Sequence, residues 1–564
     1  MRGDGETELA ESTVGSGTER AESTVGPETE RAESTMNSRT EPAGSHVDSR
    51  MEPPESAAGP EWWARAVVYQ VYVRSFADSD GDGVGDLAGV RSRLGYLELL
   101  GVDAVWLSPV YPSPGVDHGY DVSDPRDVDP LFGTLDDFDG LLADARRHGI
   151  RVIIDLVPNH TSDQHEWFRA AVSAAPGSPE RARYHFRGGA APPNNWQSVF
   201  GGPAWTRVAP DDEWYLHLFA PGQPDLNWAH AEVREDLEKT LRFWCDRGVD
   251  GVRIDVAHGL AKAEGLPDDR RQPGWTVLTE DAPDPRFDQD GVHEVHRLIR
   301  GVLDRYPGRM AIGEVIVRDD ARWAAYVRPD ELHLAFHFGL LNCAFAADEI
   351  RECIDRTLAA AGDTPAVWTI ANHDNPHPVT RYGSLERARA MALVTLALPG
   401  SAYLYNGEEL GLPDVDLPDS ALQDPAWQLS DGVRRGRDGC RVPLPWEGEG
   451  PGYGFTTGEP WLPMPESYGE LTAADQLEDP VSTLSLYRQA LELRKEHPAF
   501  RGDEVEWFGA PEGCLAFRRV GTTLVCALNT SERPVPLPPG DVLLTSAPLE
   551  ANGDLPPNTA AWLA

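Results

Sequence analysis

The chain has 564 residues, a formal net charge of −42 at pH 7 and a sequence pI of about 4.6, and its length is enough for several domains around one large core. Its negative field repels phosphate backbones and anionic membranes, which argues against nucleic acid and membrane partners. The sequence shows no signal peptide and no apolar run of the ~18 residues that span a bilayer, so we expect a cytoplasmic protein that is a monomer or a weak homo-oligomer.

The first predicted element is a polar tail, residues 1–58, which is rich in Glu, Ser, Thr and Gly. An eleven-residue repeat runs through it, with AESTVG at residues 10–15 and 21–26 and AESTM at residues 32–36. One apolar residue per repeat is too little for a coiled-coil seam, so we predict a disordered acidic tail. The alternative is upstream sequence ahead of a start at Met51.

From Trp62 onward, short β-branched runs alternate with amphipathic stretches. Eight runs are predicted strands, at residues 67–76, 102–109, 151–159, 249–256, 310–315, 333–338, 366–372 and 402–405. Helical patterns lie between them, as at residues 87–100, 135–148, 231–247 and 385–398. This alternation predicts an α/β fold, a closed (β/α)8 TIM barrel, built from residues 59–160 and 229–500.

Two parts of the chain stand outside the predicted barrel. Residues 161–228 follow the third strand and are too many for a structureless loop, so we predict an inserted domain. A helix is predicted at residues 482–497. Residues 501–564 then carry short alternating runs with Pro/Gly turns, at 504–508, 514–519 and 522–528, which predict a C-terminal antiparallel β-sandwich.

Six cysteines are scattered along the chain without a C-x-x-C pair: Cys245, Cys343, Cys353, Cys440, Cys514 and Cys526. This pattern predicts free thiols in a reducing compartment, in place of a zinc site or a disulfide framework.

Polar residues gather at the carboxyl ends of four predicted strands, where barrel enzymes carry their catalytic groups. The four motifs are DLVPNH at residues 155–160, GVRIDVAH at 251–258, GEV at 313–315 and ANHD at 371–374. In this order, the motifs resemble those of the α-amylase superfamily of glycoside hydrolases. The resemblance runs from about Trp62 to the end of the chain.

The resemblance implies a retaining mechanism with Asp255 as nucleophile, Glu314 as general acid/base and Asp374 as a carboxylate that binds sugar hydroxyls. Retention requires an attacking carboxylate and a protonated carboxyl about 5 to 5.5 Å apart, and Asp255 and Glu314 end adjacent predicted strands. Arg253 points to the same side of its strand as Asp255 and can hold that carboxylate ionised. Single strand-end acids often cap helices or form ion pairs, but three acids in one motif set favour catalysis.

The segment DHGYD at residues 117–121 is a further match. By resemblance, Tyr120 stacks against the glucose at the cleavage site and Asp117 binds its far hydroxyls. Arg437 resembles the arginine that closes the pocket opposite this aspartate, and Arg441 is the alternative. A pocket closed at its far end admits only a chain terminus, which implies exo-action on short substrates.

His160 and His373 match the family's ligands of the same glucose ring. We expect Asp155 and Asn159 to order the site without taking part in catalysis. His258 stays open between a role in the site and a role in packing, because many family members have Lys at the position that Ala257 occupies.

The string QPDLNW at residues 223–228 resembles the oligo-1,6-glucosidase and α-glucosidase branch of the family, as do LPG at 398–400 and GEELG at 407–411. His377 and Asn406 depart from that branch, where Arg and Gln are common. Val256 fits α-1,6-acting relatives, whereas the Ala-His that follows it resembles α-1,4-acting ones. We therefore expect mixed or α-1,4 activity.

A metal site is predicted in the segment DSDGDGVGD at residues 78–86. Acidic residues separated by glycines bend a loop so that several oxygens converge on one hard cation. The resemblance implies a structural Ca²⁺ or Mg²⁺ bound by Asp78, Asp80, Asp82, the Val84 carbonyl and Asp86. The alternative is a solvated acidic turn, since Gly89 stands where an EF-hand has its bidentate Glu.

The function that we expect is an α-glucosidase that releases glucose from short α-glucosides such as maltose or isomaltose by double displacement. A transglucosidase, or an isomerase of the sucrose or maltose/trehalose type, would use the same glucosyl-enzyme and is the first alternative. The Val315-Ile316 pair does not resemble that of trehalose synthases. A non-catalytic binding protein on this fold is the second alternative, and the three retained carboxylates weigh against it.

Overall fold

The structure is a computed structural model that describes residues 61–270, 284–450 and 452–564. The predicted tail with its eleven-residue repeats therefore lies outside the described residues. Among the helices of the described ranges, none is long and apolar enough to cross a membrane.

The strands are numbered in chain order. They are β1 (Val67–Val71), β2 (Ala104–Leu107), β3 (Arg151–Leu156), β4 (Phe186–Gly188), β5 (Trp205–Val208), β6 (Glu213–Leu216), β7 (Gly251–Ile254), β8 (Met310–Gly313), β9 (Leu334–Ala335), β10 (Val367–Thr369), β11 (Ser401–Tyr405), β12 (Val505–Trp507), β13 (Cys514–Arg519), β14 (Val525–Asn529), β15 (Val542–Thr545) and β16 (Thr559–Leu563).

The α-helices are numbered in the same way. They are α1 (Leu87–Ser92), α2 (Leu94–Leu100), α3 (Leu135–Arg147), α4 (Glu166–Ser173), α5 (Pro179–Ala182), α6 (Ala231–Arg247), α7 (Val292–Leu303), α8 (Asp320–Ala325), α9 (Gly339–Asn342), α10 (Ala347–Ala361), α11 (Pro378–Tyr382), α12 (Leu385–Ala397), α13 (Pro425–Leu429), α14 (Ala473–Glu478) and α15 (Thr483–Glu496). Short 3-10 helices include Asp438–Cys440 and Pro498–Arg501.

Eight parallel strands form one sheet in the order β10-β11-β1-β2-β3-β7-β8-β9. Each predicted barrel strand overlaps one of them, and helices follow each strand in the chain. The predicted (β/α)8 fold is therefore confirmed. Seven of the eight strands are shorter than predicted because the chain leaves them for the following loops, whereas β11 begins one residue earlier than predicted.

Side-chain alternation along the strands fills the barrel interior in layers. An apolar layer includes Val68, Trp106, Ile153, Ile312 and Phe336. Two residues further along their strands, the inward positions become polar, with Gln70 on β1, Asp155 on β3 and Arg253 on β7. Because Asp155 and Arg253 are register partners of neighbouring strands, the polar layer begins at the carboxyl end of the barrel.

The predicted insertion, residues 161–228, contains α4, α5 and a three-stranded antiparallel sheet in the order β4-β6-β5. Its two ends meet, because His160 and Asp225 form an isolated antiparallel bridge and Leu226 donates its N–H to the carbonyl of Asn159 at 3.0 Å. The insertion thus returns to the barrel at the residue where it departs from it.

The C-terminal strands form one antiparallel sheet in the order β12-β13-β14-β16-β15, which confirms the predicted antiparallel domain. Trp562 of β16 is fully buried and donates to the carbonyl of Leu393 in α12 at 3.0 Å, so one face of the sheet packs on the barrel. The predicted sandwich differs in one respect. Its second layer is made by the loops around β15, where Val535 and Leu555 form a single bridge, in place of a second sheet.

Candidate active site

A cavity of about 450 Å³ opens at the carboxyl ends of the barrel strands. Its wall includes the three predicted carboxylates, Asp255, Glu314 and Asp374. The structure also places most of the predicted sugar-binding residues in this wall: Asp117, Tyr120, His160, His373 and Arg437. The predicted site residues, which lie far apart in the chain, thus converge at one end of the barrel.

Arg253 lies beneath the cavity, with a side chain that is 2% exposed. Its guanidinium contacts Asp255 at 2.6 Å, Asp155 at 2.8 Å and Glu314 at 3.1 Å. The guanidinium also lies over the ring of Trp106, 4.9 Å from the centroid. One cation from the barrel interior therefore holds the proposed nucleophile and acid/base side by side.

The charge of this cluster is negative, since three carboxylates share one guanidinium. Burial raises the pKa of Asp255 against the opposing effect of Arg253, and repulsion from Glu314 and Asp155 adds to the rise. Burial likewise raises the pKa of Asp155 to about 6. The cluster therefore retains a proton more readily than isolated carboxyls do. The 2.6 Å contact with Arg253 opposes this rise at Asp255, because the guanidinium stabilises the ionised carboxylate.

Val256, directly after Asp255, adopts a φ of +45°. This left-handed conformation is costly for a β-branched residue, and such outliers concentrate at functional sites. The turn aims the Val256 N–H at Glu314, whose Oε2 accepts it at 2.9 Å. The strained residue thus fixes one oxygen of Glu314 next to Asp255.

Asp374 and Asp117 close the far end of the cavity together with two arginines. Arg437 contacts Asp117 at 2.7 Å and Asp374 at 3.0 Å, while Arg441 contacts Asp374 at 2.8 Å. The sequence left open whether Arg437 or Arg441 pairs with Asp117, and in the structure Arg437 does so. Arg441 contacts Asp374 instead. Asp424 holds Arg437 in place through a contact of 2.6 Å with its Nε.

The two aspartates of this end differ in their ionisation. Burial raises the pKa of Asp117 to about 6, although Arg437 and Arg441 oppose the change. Burial also acts on Asp374, but His373, Arg437 and Arg441 outweigh it and hold the pKa of Asp374 well below its usual range. Asp374 is therefore ionised at any working pH, whereas Asp117 titrates in weak acid.

Tyr120 and His373 form a stacked pair at the base of the cavity, with ring centroids 5.3 Å apart. The Tyr120 hydroxyl lies 2.7 Å from His373 Nε2 and donates to Asp155 at 2.9 Å. Gln70 contacts the other ring nitrogen of His373 at 2.7 Å. Asp155 thus orders Tyr120 and Arg253 at the same time, as expected of a residue that arranges the site.

His160 is held by the two ends of the insertion. Its ring nitrogens lie 3.1 Å from the side-chain amides of Asn159 and Gln223. Gln223 also donates to Asp117 at 3.1 Å, so the motif at the end of the insertion reaches a predicted sugar-binding residue of the cavity wall.

Lys262 contacts the residues that hold His160 and the end of the insertion. Its ammonium contacts Asp225 at 2.7 Å and Asn159 at 2.9 Å, and its side chain is 1% exposed. Burial lowers the pKa of Lys262, and Asp225 opposes that change. Lys262 was not singled out as a site residue from the sequence, although it is one of only three lysines in the chain.

Sequence reasoning also missed the apolar part of the wall. Phe200, Phe219 and Phe287 line the cavity, and Arg434 and Ile316 join them. These residues lie on loops outside the four motifs. The one available signal was their position beside motif segments, as for Ile316 two residues after Glu314.

His258, which the sequence left open, lies in the cavity wall and stacks on Phe287 with centroids 5.1 Å apart. Its Nδ1 lies 3.3 Å from the Glu314 carbonyl oxygen. The two departures from the branch, His377 and Asn406, are buried elsewhere. His377 stacks on Tyr405 and Asn406 accepts the N–H of Tyr72, so neither lines the cavity.

The acidic loop brings three of its predicted metal ligands together. Carboxylate oxygens of Asp78, Asp80 and Asp86 lie within 4.8 Å of one another. Asp82 lies outside this group and accepts the N–H of Val84 at 2.8 Å. Burial and repulsion from neighbouring acidic groups raise the pKa of Asp82. This set of hard oxygen donors fits Ca²⁺ or Mg²⁺.

These features together define a class of glycoside-cleaving enzymes. They are a parallel barrel with paired carboxylates at its carboxyl end, a buried arginine between the carboxylates and an appended antiparallel sheet. The alpha amylase catalytic domain family matches residues 70–503, and a family described as a domain of unknown function (DUF3459) matches residues 501–562. The chain belongs to the alpha-amylase family of glycoside hydrolases.

Individual relatives agree with this assignment. The chain is 37% identical over 478 residues to the oligo-1,6-glucosidase of Parageobacillus thermoglucosidasius, which covers 77% of this chain and 84% of that protein. It is 37% identical over 503 residues to a probable alpha-glucosidase of Rhizobium meliloti (strain 1021), which covers 84% of this chain and 90% of that protein. The crystal structure of the alpha-glucosyl transfer enzyme XgtA superposes with a TM-score of 0.82 at 37% identity and covers 89% of this chain and 99% of its own.

The buried pair of Lys262 and Asp225 yields a prediction about stability. Lys262→Met leaves the Asp225 carboxylate buried without its cation, so we expect the free energy of unfolding to fall by about 3 to 5 kcal/mol. Denaturant unfolding followed by fluorescence measures it. Lys239→Met makes the same chemical change at an exposed position of α6 and should stay within about 0.5 kcal/mol of the parent. Equal losses in the two variants would refute the pairing.

Proposed function

We propose that this chain is an exo-acting, retaining α-glucosidase that hydrolyses short α-glucosides by double displacement. The observation that carries the proposal is the placement of Asp255 and Glu314 on one buried guanidinium in the wall of one cavity. The names of the two glucosidase relatives support the same activity.

In the proposed reaction, Asp255 attacks the anomeric carbon while Glu314 donates a proton to the leaving oxygen. The covalent glycosyl-enzyme is then hydrolysed by a water from which Glu314 removes a proton. Arg253 stabilises the ionised form of Asp255 that makes the attack. Asp374, held by Arg437 and Arg441, accepts hydrogen bonds from sugar hydroxyls and stabilises the positively charged transition state.

Exo-action follows from the closed end of the cavity. Arg437 spans from Asp117 to Asp374 and lies over the ring of Phe200, 5.1 Å from its centroid. A sugar ring in this end has no room for a further residue beyond its far hydroxyls, so the cavity selects the non-reducing end. The proposed partner is a small α-glucoside.

Transfer of the glucosyl group to a second sugar is the alternative outcome of the same intermediate. The phenylalanines that line the cavity favour transfer, because they exclude water and offer an apolar surface to the ring of an acceptor sugar. The structural relative named as an alpha-glucosyl transfer enzyme shares this fold. Hydrolysis and transfer differ only in what attacks the intermediate.

The proposal also includes a cellular compartment and a bound metal ion. We place the reaction in the cytoplasm, which is consistent with six cysteines that are all free thiols. We also propose that the acidic loop holds a structural Ca²⁺ or Mg²⁺ through Asp78, Asp80, Asp82, the Val84 carbonyl and Asp86. The bound cation would neutralise a loop that links β1 to α1.

Product analysis tests the central proposal. On incubation with maltose, isomaltose, sucrose and trehalose separately, we expect free glucose from at least one of the first two. Asp255→Asn should lower the rate by at least about a thousandfold because no carboxylate remains to attack. Asp290→Asn makes the same change on a side chain that is 91% exposed and should leave the rate unaltered. Abundant new disaccharide with little glucose would replace hydrolysis by transfer, and full turnover by Asp255→Asn would overturn both.

The titration of Asp117 gives a pH prediction. Since its pKa in the folded protein is raised to about 6, Asp117 is charged above that pH and neutral below it. We expect KM for a short glucoside to rise severalfold as pH falls through about 6, because a neutral carboxyl accepts sugar hydroxyls less well. Steady-state kinetics across this range measure the step. Asp117→Asn should have a high KM and no such step; a step that persists in this variant must come from another group.

Removal of the metal tests the acidic loop. A chelator should lower the unfolding temperature by several degrees, and added Ca²⁺ or Mg²⁺ should restore it, because a ligand bound to the folded state stabilises that state. Asp80→Asn should show the lower temperature and no response to either treatment. Asp416→Asn, on a side chain that is 97% exposed, serves as the matched control and should respond like the parent. No response in the parent would identify the loop as a solvated acidic turn.

A further inference from the structure

A second cavity, of about 200 Å³, lies at the opposite end of the barrel from the active site. It forms where the amino ends of β1 and β3 meet the end of α15 and the end of β13. Arg151 is the first residue of β3, and Arg519 is the last residue of β13. The cavity thus lies between the barrel and the C-terminal domain.

The wall of this cavity concentrates positive charge in a chain whose net charge is −42. Six cationic side chains line it: Arg65, Arg151, Arg494, Lys495, Arg501 and Arg519. The one carboxylate in the same wall is Asp103, which lies 3.5 Å from Lys495. Asp503 pairs with Arg65 at 2.6 Å. Four of the six cations therefore have no carboxylate of the described residues within 4.0 Å.

Two of these four are buried. Arg494 is 9% exposed and Arg519 is 2% exposed. Arg494 donates to the carbonyls of Leu398 at 2.9 Å and Gly400 at 2.5 Å, and Arg519 donates to that of Phe500 at 2.7 Å. These bonds position the guanidiniums, but a neutral carbonyl does not cancel a charge. The Nε of each has no hydrogen-bond partner among the described residues.

The two buried charges also oppose each other. Burial and the neighbouring Arg494 lower the pKa of Arg519 to about 9, and Asp503 opposes this change. Burial lowers the pKa of Arg494 to about 10, with Arg65 adding to the effect and Asp103 opposing it. Buried charge without a counter-ion is costly, so a folded protein that keeps such a cluster gains when an anion enters it.

We infer that this cavity is a binding site for a small phosphate-bearing anion, either inorganic phosphate or a phosphate monoester. The guanidinium fork matches phosphate oxygens through paired hydrogen bonds, and four uncompensated cations suit a doubly charged tetrahedral anion better than a single carboxylate. Arg519 and Arg494 are the buried members of the site, while Arg151 and Arg501 line it from the barrel and from the turn after α15. Bound phosphate would join the C-terminal domain to the barrel.

Calorimetric titration of the full chain with sodium phosphate, at an ionic strength held constant with sodium chloride, tests the inference. We expect saturable binding of one phosphate per chain and a matching rise in unfolding temperature, as linkage requires. Arg151→Gln and Arg501→Gln should each raise the dissociation constant for phosphate at least tenfold. Arg518→Gln removes the neighbouring charge of β13, which pairs with Glu506 outside the cavity, and should bind like the parent.

A parallel titration with glucose 6-phosphate, using glucose as its control, distinguishes the two sources of the anion. Tighter binding of the ester than of phosphate, lost in Arg151→Gln, assigns the site to a sugar phosphate; the reverse order assigns it to free phosphate. All three variants carry their change on the barrel end opposite the active site, and far-UV circular dichroism reports that each is folded. The inference is overturned if phosphate acts no differently from chloride, or if all three variants respond to phosphate like the parent.

Discussion

The interaction on which the site depends is the burial of one guanidinium in the polar layer of the barrel. Arg253 has apolar layers beneath it and carboxylates on its other sides. A positive charge at this depth is tolerated only with close counter-charges, and carboxylates at this depth are tolerated only with a cation. The chemistry and the packing therefore impose the same arrangement, since removal of Arg253 leaves three buried carboxylates without their cation.

Two kinds of structure surround Arg253 and its carboxylates: the strands of the barrel and the loops at its carboxyl end. Asp255 and Glu314 are fixed by adjacent strands and by the strained turn at Val256. The far end of the cavity is built from loops, with Asp117 after β2 and Arg437 beside a short 3-10 helix after β11. The predicted catalytic pair is thus held by the barrel strands, and the predicted substrate-binding end of the cavity is formed by loops that can change without disturbing the strands.

The fold and the motif residues could be predicted because both depend on local patterns. Strand-helix alternation repeats eight times, and each motif ends a strand whose direction fixes which side chains face inward. The pairing of Arg437 with Asp117 could not be decided, because Arg437 and Arg441 lie one turn apart on the same irregular segment. Lys262 and the phenylalanines that line the cavity were missed for another reason. Their positions depend on how loops fold back onto the barrel, and the periodicity of a sequence does not predict this. The loops that complete the C-terminal domain likewise carry no strand pattern.

The bridge between His160 and Asp225 has a consequence for how such enzymes diversify. Both ends of a segment of more than sixty residues are fastened at one point, and His160, one of the two fastening residues, also lines the cavity. Gln223, Phe200 and Phe219 are points at which this segment reaches His160 and the cavity wall, so the positions between them that do not line the cavity are free to vary in length and sequence. The bridge therefore keeps His160 in place while the outer part of the insertion changes, and only the few residues that face the cavity alter the site when they are replaced.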